Sequence, residues 1–333
     1  MKQRRLGHSG LVVSRLALGT MTWGRDTDED DAAAQLVAFR EAGGTLVDTA
    51  DVYTGGDSER LLGRLLTEVA LRAEVLLATK ACGVVGPGPM GRGASRGHLL
   101  SALEASLRRL RTDYVDLWQV HAWDHLTPWE ETLAALDSAV ASGKVRYAGV
   151  SNFCVWQLGA TAAHQRAVPG RSPLVSNQVE YSLLQRGIER EVVPAARALG
   201  VGLLPWSPLG RGVLSGKYQT GAPADSRGAS GHYAGFVAPY LDDRCRSIVE
   251  AVLTAANGLG VSPVAVALAW VRDRPGVVAP VVGARTSAQL QAALAAEAVV
   301  LPEVVRSALD DVSAPAVGYP EQSSGWTSGD LED

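Results

Sequence analysis

Cysteine is scarce: the 333 residues include three, Cys82, Cys154 and Cys245, with no C-x-x-C pair among them. Thiols so few and scattered exclude a disulfide framework and fit a chain that works in a reducing compartment. An excess of charge is also missing, since 31 basic residues stand against 35 acidic ones for a net charge of −4. Without a basic field, nucleic acid and anionic membranes are not expected partners. Long apolar runs are lacking too, because glycine and polar residues interrupt each one before the roughly 18 residues of a membrane helix. The basic start, Met1-Lys2-Gln3-Arg4-Arg5, has no apolar stretch of a secretion signal behind it. These absences predict a cytoplasmic protein with no membrane association.

Two nucleotide signatures are absent as well. After the first strand candidate, Leu18-Gly19-Thr20-Met21-Thr22-Trp23-Gly24 does not match G-x-G-x-x-G, so an open doubly wound dinucleotide fold loses support. Gly86-Pro87-Gly88-Pro89, with Gly91 and Gly93, lacks the lysine spacing of a P-loop. It reads as a flexible loop near a substrate.

What is present is the composition of an ordinary packed enzyme, 47% hydrophobic and 20% charged. Arg4–Leu6 and Leu11–Val13 flank a glycine-containing turn and predict a hairpin. Short branched apolar runs then alternate with segments of helical period. The strands are expected at 16–18, 46–47, 75–78, 115–120, 145–150, 174–178, 201–205 and 277–282. The helices between them are expected at 28–42, 58–70, 96–110, 129–142, 155–166, 189–199 and 241–259. Eight strands with intervening helices and no linker predict a (β/α)8 barrel preceded by a hairpin, one domain over residues 1–315. Residues 207–239 are too long for an ordinary connection and are expected to border the active site. The polar tail 316–333, with its isolated Trp326, is expected to be poorly ordered.

In such a barrel the active site lies where strands end. Asp48, Tyr53, Lys80 and His121 follow four apolar runs directly or lie in the next loop. Reduction of a carbonyl by hydride needs a proton for the developing alkoxide. Tyr53 suits that role if Lys80 lowers its pKa, with Asp48 orienting Lys80 and His121 donating to the carbonyl oxygen. A metal cluster of His121, Asp124 and His125 is the competing reading of this rim. No paired motif joins the remaining histidines to it, and no metal is predicted. Trp23 and Trp123 fall on rim loops and stay open between packing and lining an apolar substrate pocket.

The segments Val47-Asp48-Thr49-Ala50-Asp51-Val52-Tyr53 with Ser58-Glu59, Ala78-Thr79-Lys80, Trp118-Gln119-Val120-His121 and Lys144 to Phe153 resemble those of the aldo-keto reductase superfamily, from about Arg5 to Leu294. The resemblance implies a catalytic tetrad of Asp48, Tyr53, Lys80 and His121. It also implies a cofactor site. Gly19, Thr20 and Met21 would border it, Ser151, Asn152 and Gln178 would bind the nicotinamide carboxamide, and Tyr181 would stack on the ring. Trp206, Ser207, Pro208, Leu209, Gly210, Gly212, Leu214 and Lys217 resemble the loop that wraps the pyrophosphate, and Gly283, Arg285 and Gln289 the adenosine end. A guanidinium binds phosphate in a bidentate manner, so Arg285 points to NADPH. At Gln291-Ala292-Ala293-Leu294 the chain departs from the family pattern, in which acidic residues and an asparagine commonly follow. The implied function is reduction of a small aldehyde or ketone. The alternatives are a specialised keto or enoyl reductase of a deoxysugar nucleotide or other secondary metabolite, and a non-catalytic NADPH-sensing partner subunit like potassium-channel β-subunits. An oligomer is compatible with this pattern and is not specified by it.

Overall fold

A computed structural model describes residues 1–319 other than 71, 220, 224, 225, 232, 233 and 317. The hairpin pairs β1 (Gln3–Arg5) with β2 (Val12–Ser14). The barrel then runs through β3 (Ala17–Gly19), α1 (Glu29–Glu41), β4 (Leu46–Asp48), α2 (Asp57–Glu68), β5 (Leu76–Ala81), α3 (Arg96–Leu110), β6 (Val115–Val120), α4 (Trp129–Ala141), β7 (Val145–Ser151), α5 (Val155–Ala167), β8 (Leu174–Glu180), α6 (Val192–Ala198) and β9 (Gly202–Trp206). A long connection carrying the short α7 (Ala234–Val237) leads to α8 (Asp243–Leu259), α9 (Pro263–Arg272), β10 (Val281–Gly283), α10 (Ser287–Leu294) and α11 (Glu303–Val312). The eight parallel strands order as β10-β3-β4-β5-β6-β7-β8-β9. A bridge between Leu203 and Val277 brings the two ends together. The expected (β/α)8 barrel with its hairpin is the observed fold.

The strands are buried on both faces, as parallel strands covered by helices must be. Their apolar runs therefore carry no alternation, and this is why they stand out in the sequence. The hairpin closes the N-terminal end: Leu6, Leu11 and Val13 pack onto Leu46, Leu117 and Leu204 inside the barrel. Gly7 makes the approach possible. Its φ is +59°, and a Cβ there would lie 2.5 Å from the Gly200 carbonyl oxygen, while the neighbouring His8 N–H donates to that oxygen at 2.7 Å. The C-terminal end is thus the open one.

The last strand is shorter than expected. Around Pro280 the chain changes partner: Val278 N–H donates to Leu203 of β9, and the Pro280 carbonyl accepts from Ala17, the first residue of β3. A proline has no N–H to continue one ladder across that point. Four helices were not anticipated, of which α7 is a single turn within the long connection. In α9, Ala265 to Arg272 are all buried, so the segment is apolar all round and has no amphipathic period to detect. The other two, α10 and α11, lie at and beyond the last strand. The expected tail disorder and Trp326 concern residues that, from 320 onward, lie outside the described residues. No single helix among the described residues is long and apolar enough to cross a membrane.

Inside the barrel, a Cβ on Gly149 of β7 would stand 2.0 Å from Ser176 Oγ of β8. Gly149→Ala is expected to lower stability by about 1–3 kcal/mol, measured by urea unfolding. Adding Ser176→Ala should recover part of that loss, because it removes the clashing oxygen.

Candidate active site

The register of neighbouring strands builds the centre of the site. Asp48, the last residue of β4, pairs with Ala78 of β5, and Lys80 lies two residues further along, on the same face. Both side chains therefore point into the barrel. The ammonium of Lys80 is fully buried and has three protons to place. It donates to Asp48 Oδ2 at 2.6 Å, to the Thr49 carbonyl at 2.7 Å and to Tyr53 Oη at 3.4 Å. The other oxygen of Asp48 accepts from Gln178 Nε2 of β8 at 2.9 Å. Tyr53 is delivered by a turn in which Thr54, Gly55 and Gly56 all have positive φ. His121, the first residue after β6, faces it edge-on with ring centroids 6.0 Å apart.

These groups open onto a cavity of about 260 Å³ at the C-terminal mouth. Its wall includes Ser151 and Asn152 from the end of β7 and the half-buried Trp206 from the end of β9. The Trp206 Nε1–H donates to Asn152 Oδ1 at 2.9 Å, and Asn152 Nδ2 donates to the His121 carbonyl at 3.0 Å. A second hollow of about 210 Å³ continues from the first, sharing Leu209, Arg211, Gly212, Val282 and Gly283 with it, and ends among Lys217, Arg285 and Gln289. The long connection after β9 crosses this groove and is latched there. Arg211 grips both carboxylate oxygens of Glu180 at 2.9 and 2.8 Å, donates to the Phe236 carbonyl and lies 3.8 Å from the Phe236 ring centroid. Phe236 in turn is stacked parallel to Trp206, 6.4 Å between centroids.

A model of the Aldo/keto reductase family matches residues 15–314. An uncharacterized oxidoreductase of Bacillus subtilis, YrpG, is 37% identical over 98% of this chain and all of its own length. A probable voltage-gated potassium channel subunit beta of rice is 35% identical over the same share of this chain and its own whole length. Norsolorinic acid reductase of Aspergillus flavus is 33% identical over 94% of the chain and 81% of its own length. The chain belongs to the aldo/keto reductase family. Family membership and the oxidoreductase names of these relatives support an oxidoreductase.

Within this reductase-family barrel the anticipated residues distribute unevenly. Gly19, Met21, Asp48, Tyr53, His121, Ser151, Asn152, Gln178, Trp206, Ser207, Pro208, Leu209, Gly212 and Gly283 line the first cavity, and Lys217, Arg285 and Gln289 the second hollow. Lys80 lies beneath the first, joined to it through Asp48 and Tyr53. Six further anticipated positions line neither. Thr20 is buried, its hydroxyl on Ser58 Oγ. Gly210 packs against Leu184, and Leu214 belongs to the core beside α8. Tyr181 turns away: its hydroxyl donates to Glu189 at 2.6 Å and its ring packs edge-on against Trp270, whereas Trp206, at the end of the next strand, lines the cavity. Trp23 is core, with its Nε1–H on Gln35. Trp123 sits against Phe153 and Trp156, outside both hollows. Thr22, Arg211 and Phe236 also line the first cavity and were missed, although the last two stand in the connection already expected to border the site; Val281 and Val282, which line it too, open the stretch that resembles the adenosine end. Gly86 to Gly93 also lie outside the cavity wall. Asp124, of the metal alternative, has its carboxylate engaged by the N–H groups of Ala94 and Leu126 and the Thr127 hydroxyl.

The electrostatics differ from expectation at Tyr53. Burial raises the phenol above its ordinary value; Lys80 pulls it down without overcoming that, and Asp48 adds to the rise. The phenol is thus protonated at neutral pH. Burial disfavours the charge on Lys80, but Asp48 and Tyr53 outweigh it and hold the ammonium above its usual range. His121 is pushed down to about 3, by burial and then by Lys80, so its ring is neutral. Behind the tetrad, Asp51 is buried with neither carboxylate oxygen hydrogen-bonded. Burial, and then nearby Glu59, raise it to about 7.

These two shifts have opposite signs in stability. The unfolded chain binds a proton at His121 below about 6.5 that the folded chain refuses until about 3, so this group makes stability fall as pH drops through that window. Folded Asp51 keeps its proton up to about 7, so it makes stability fall as pH rises from about 4. Urea unfolding between pH 4 and 6.5 should show stability climbing less with pH in His121→Gln and more in Asp51→Asn. Each change is expected to reach at most about 1.4 kcal/mol per pH unit.

Proposed function

We propose that this chain is an NADPH-dependent reductase of aldehydes or ketones in which Tyr53 is the general acid. The observation that carries the reading is the Tyr53 phenol on the cavity wall, 3.4 Å from a fully buried ammonium that Asp48 holds in place. A carbonyl oxygen seated between Tyr53 and the neutral His121 receives two hydrogen bonds, and both strengthen as negative charge develops on it. Tyr53 then gives its proton to the alkoxide. The phenolate left behind faces Lys80, which stabilises it and keeps the transfer from being uphill.

The groove fits a dinucleotide. Ser151, Asn152 and Gln178 offer hydroxyl and amide groups beside the tetrad, Trp206 offers a flat face, and the second hollow ends in Lys217 and Arg285 with no carboxylate among the described residues that line it. A carboxylate there is what a ribose 2′-hydroxyl would call for, whereas two cations suit a 2′-phosphate. NADPH bound in the groove supplies the hydride. Arg211, Glu180 and Phe236 hold the connection over it.

A second reading, a cofactor-sensing partner subunit, is favoured by relatives named as probable potassium channel β-subunits in rice and Arabidopsis thaliana at 35% and 33% identity. The tetrad geometry supports turnover over sensing alone.

With NADPH and a panel of aliphatic and aromatic aldehydes, cofactor oxidation is expected for the native chain. Tyr53→Phe should lower kcat/KM by roughly 10²–10⁴-fold while NADPH fluorescence still titrates with protein. A native protein that binds NADPH and oxidises it with no carbonyl compound would instead favour the sensing subunit. Arg285→Ala should weaken NADPH by about tenfold or more, the value of a charge-assisted hydrogen bond. Its effect on NADH should be slight.

A further inference from the structure

Two polar side chains in the turn that delivers Tyr53 have no partner. Asp51 is 2% exposed and neither of its carboxylate oxygens is hydrogen-bonded, and the buried hydroxyl of Thr54 is unpartnered as well. Among the described residues no other buried carboxylate lacks a partner on both oxygens. Leaving such a group unpaired destabilises the fold, and buried acids with displaced proton affinity gather at functional sites. Asp51 lines neither hollow, and the reduction proposed above makes no use of it.

The donors around Asp51 are all engaged elsewhere. The Lys80 ammonium divides its three protons among Asp48, the Thr49 carbonyl and Tyr53. Glu59 of α2, itself fully buried, accepts from Arg109 Nε of α3 at 2.7 Å on one oxygen and from the Thr79 hydroxyl at 2.6 Å on the other. Arg109 turns a further N–H to Ser106 at 3.2 Å. The backbone N–H of Asp51 donates to the Lys80 carbonyl at 3.1 Å, which ties it to the residue that carries the ammonium, two positions before Tyr53. Asp51 therefore stands in a cluster of two carboxylates and two cations without a cation of its own.

These groups act on one another through charge. Burial and then Glu59 keep the Asp51 proton in place up to about pH 7, against the pull of Arg109 and Lys80. An ionised Asp51 raises the Tyr53 phenol in turn, in the same direction as burial and Asp48. The Cys82 thiol, which also feels Asp51, is pushed up to about 11, first by burial, and stays neutral around pH 7. His121, at about 3, is neutral there too. Of the groups around the tetrad, Asp51 is the one that changes charge near neutrality.

We propose that Asp51 is a positioning residue that acts on carbonyl reduction through Tyr53: neutral, it leaves the phenol free to give up its proton, and ionised, it opposes the phenolate and slows the transfer. The proposal rests on the reductase reading. Proton transfer breaks the O–H bond of Tyr53, forms the O–H bond of the alcohol and leaves a negative charge beside Lys80. A second negative charge at Asp51 disfavours that product and, in part, the transition state that leads to it. The reaction is therefore fastest on the acid side of neutrality and falls to a lower plateau above it.

The test measures kcat/KM for propanal with NADPH between about pH 5.5 and 9 in the native chain and in Asp51→Asn, with NADPH affinity taken from its fluorescence at each pH. The native value should fall with a midpoint near 7. The ratio of variant to native should rise roughly three- to tenfold across the range, through kcat and not through NADPH affinity. A native profile with no such fall overturns the proposal, and so does a ratio that is the same at every pH, which leaves Asp51 a structural role alone. A ratio that follows NADPH affinity overturns it in favour of a titrating group at the cofactor. Where melting shows that Asp51→Asn does not fold, Glu59→Gln carries the test: removing that charge should move the native midpoint lower by roughly half a unit or more, and an unmoved midpoint overturns the proposal. Each of these results comes with native turnover and leaves the reductase reading standing. A native chain that reduces no aldehyde at any pH removes the reading and the proposal together.

Discussion

The buried ion pair between Lys80 and Asp48 is the constraint around which this barrel's mouth is organised. An ammonium taken out of water is tolerated only when each of its protons meets an acceptor. Here the carboxylate of Asp48, the Thr49 carbonyl and the Tyr53 oxygen supply them. The pair joins β4 to β5, and through Gln178 it reaches across to β8, so the relative position of three strands is written into one charge. The same ammonium aims Tyr53 at the cavity. Removing it would leave Asp48 buried without a counter-charge and Tyr53 without an anchor.

Burial then sets the protonation pattern. The phenol is kept protonated and the imidazole neutral because neither charged form is solvated well at the cavity floor. A protonated donor and a neutral imidazole are what an acid-assisted carbonyl reduction requires on its resting side. In the proposed reduction Lys80 matters on the other side of the reaction, where the charge on Tyr53 is negative. One buried cation therefore serves both folding and the proposed chemistry, which explains why the polar layer lies inside an otherwise apolar barrel.

The long connection after β9 is held by a different device. Arg211 adopts a left-handed backbone, φ +58°, and so do Ser207 and Asn152 on the same cavity wall. Non-glycine residues in that region carry strain of about 1–3 kcal/mol each, which the bidentate contact to Glu180 and the stacking of Phe236 on Trp206 offset. Elsewhere at the mouth Phe153, Trp123 and Trp156 pack edge to edge, and Trp156 is left exposed. The groove is thus bordered by a latch on one flank.

The eight strands were legible because parallel strands buried on both faces read as unbroken apolar runs, and the four tetrad positions because each is polar and follows such a run. Glycine and capping residues marked the ends of seven helices. The buried α9 was not legible, since a helix apolar on every side has no period. Nor did local sequence show which way a side chain turns: Tyr181 and Leu214 face the helical layer and Trp23 the core, while Arg211, one residue from Gly210, faces the groove. The protonation of Tyr53 likewise depended on how deeply the phenol is buried, a property of the assembled barrel. What the amino-acid sequence determined by itself was the order of elements and which polar residues follow the strands at the cavity, because both are encoded in runs of a few residues. Which aromatic faces the cavity, what latches the connection and where apolar surface stays exposed were decided by the tertiary structure alone, because each rests on contacts between residues far apart in the chain.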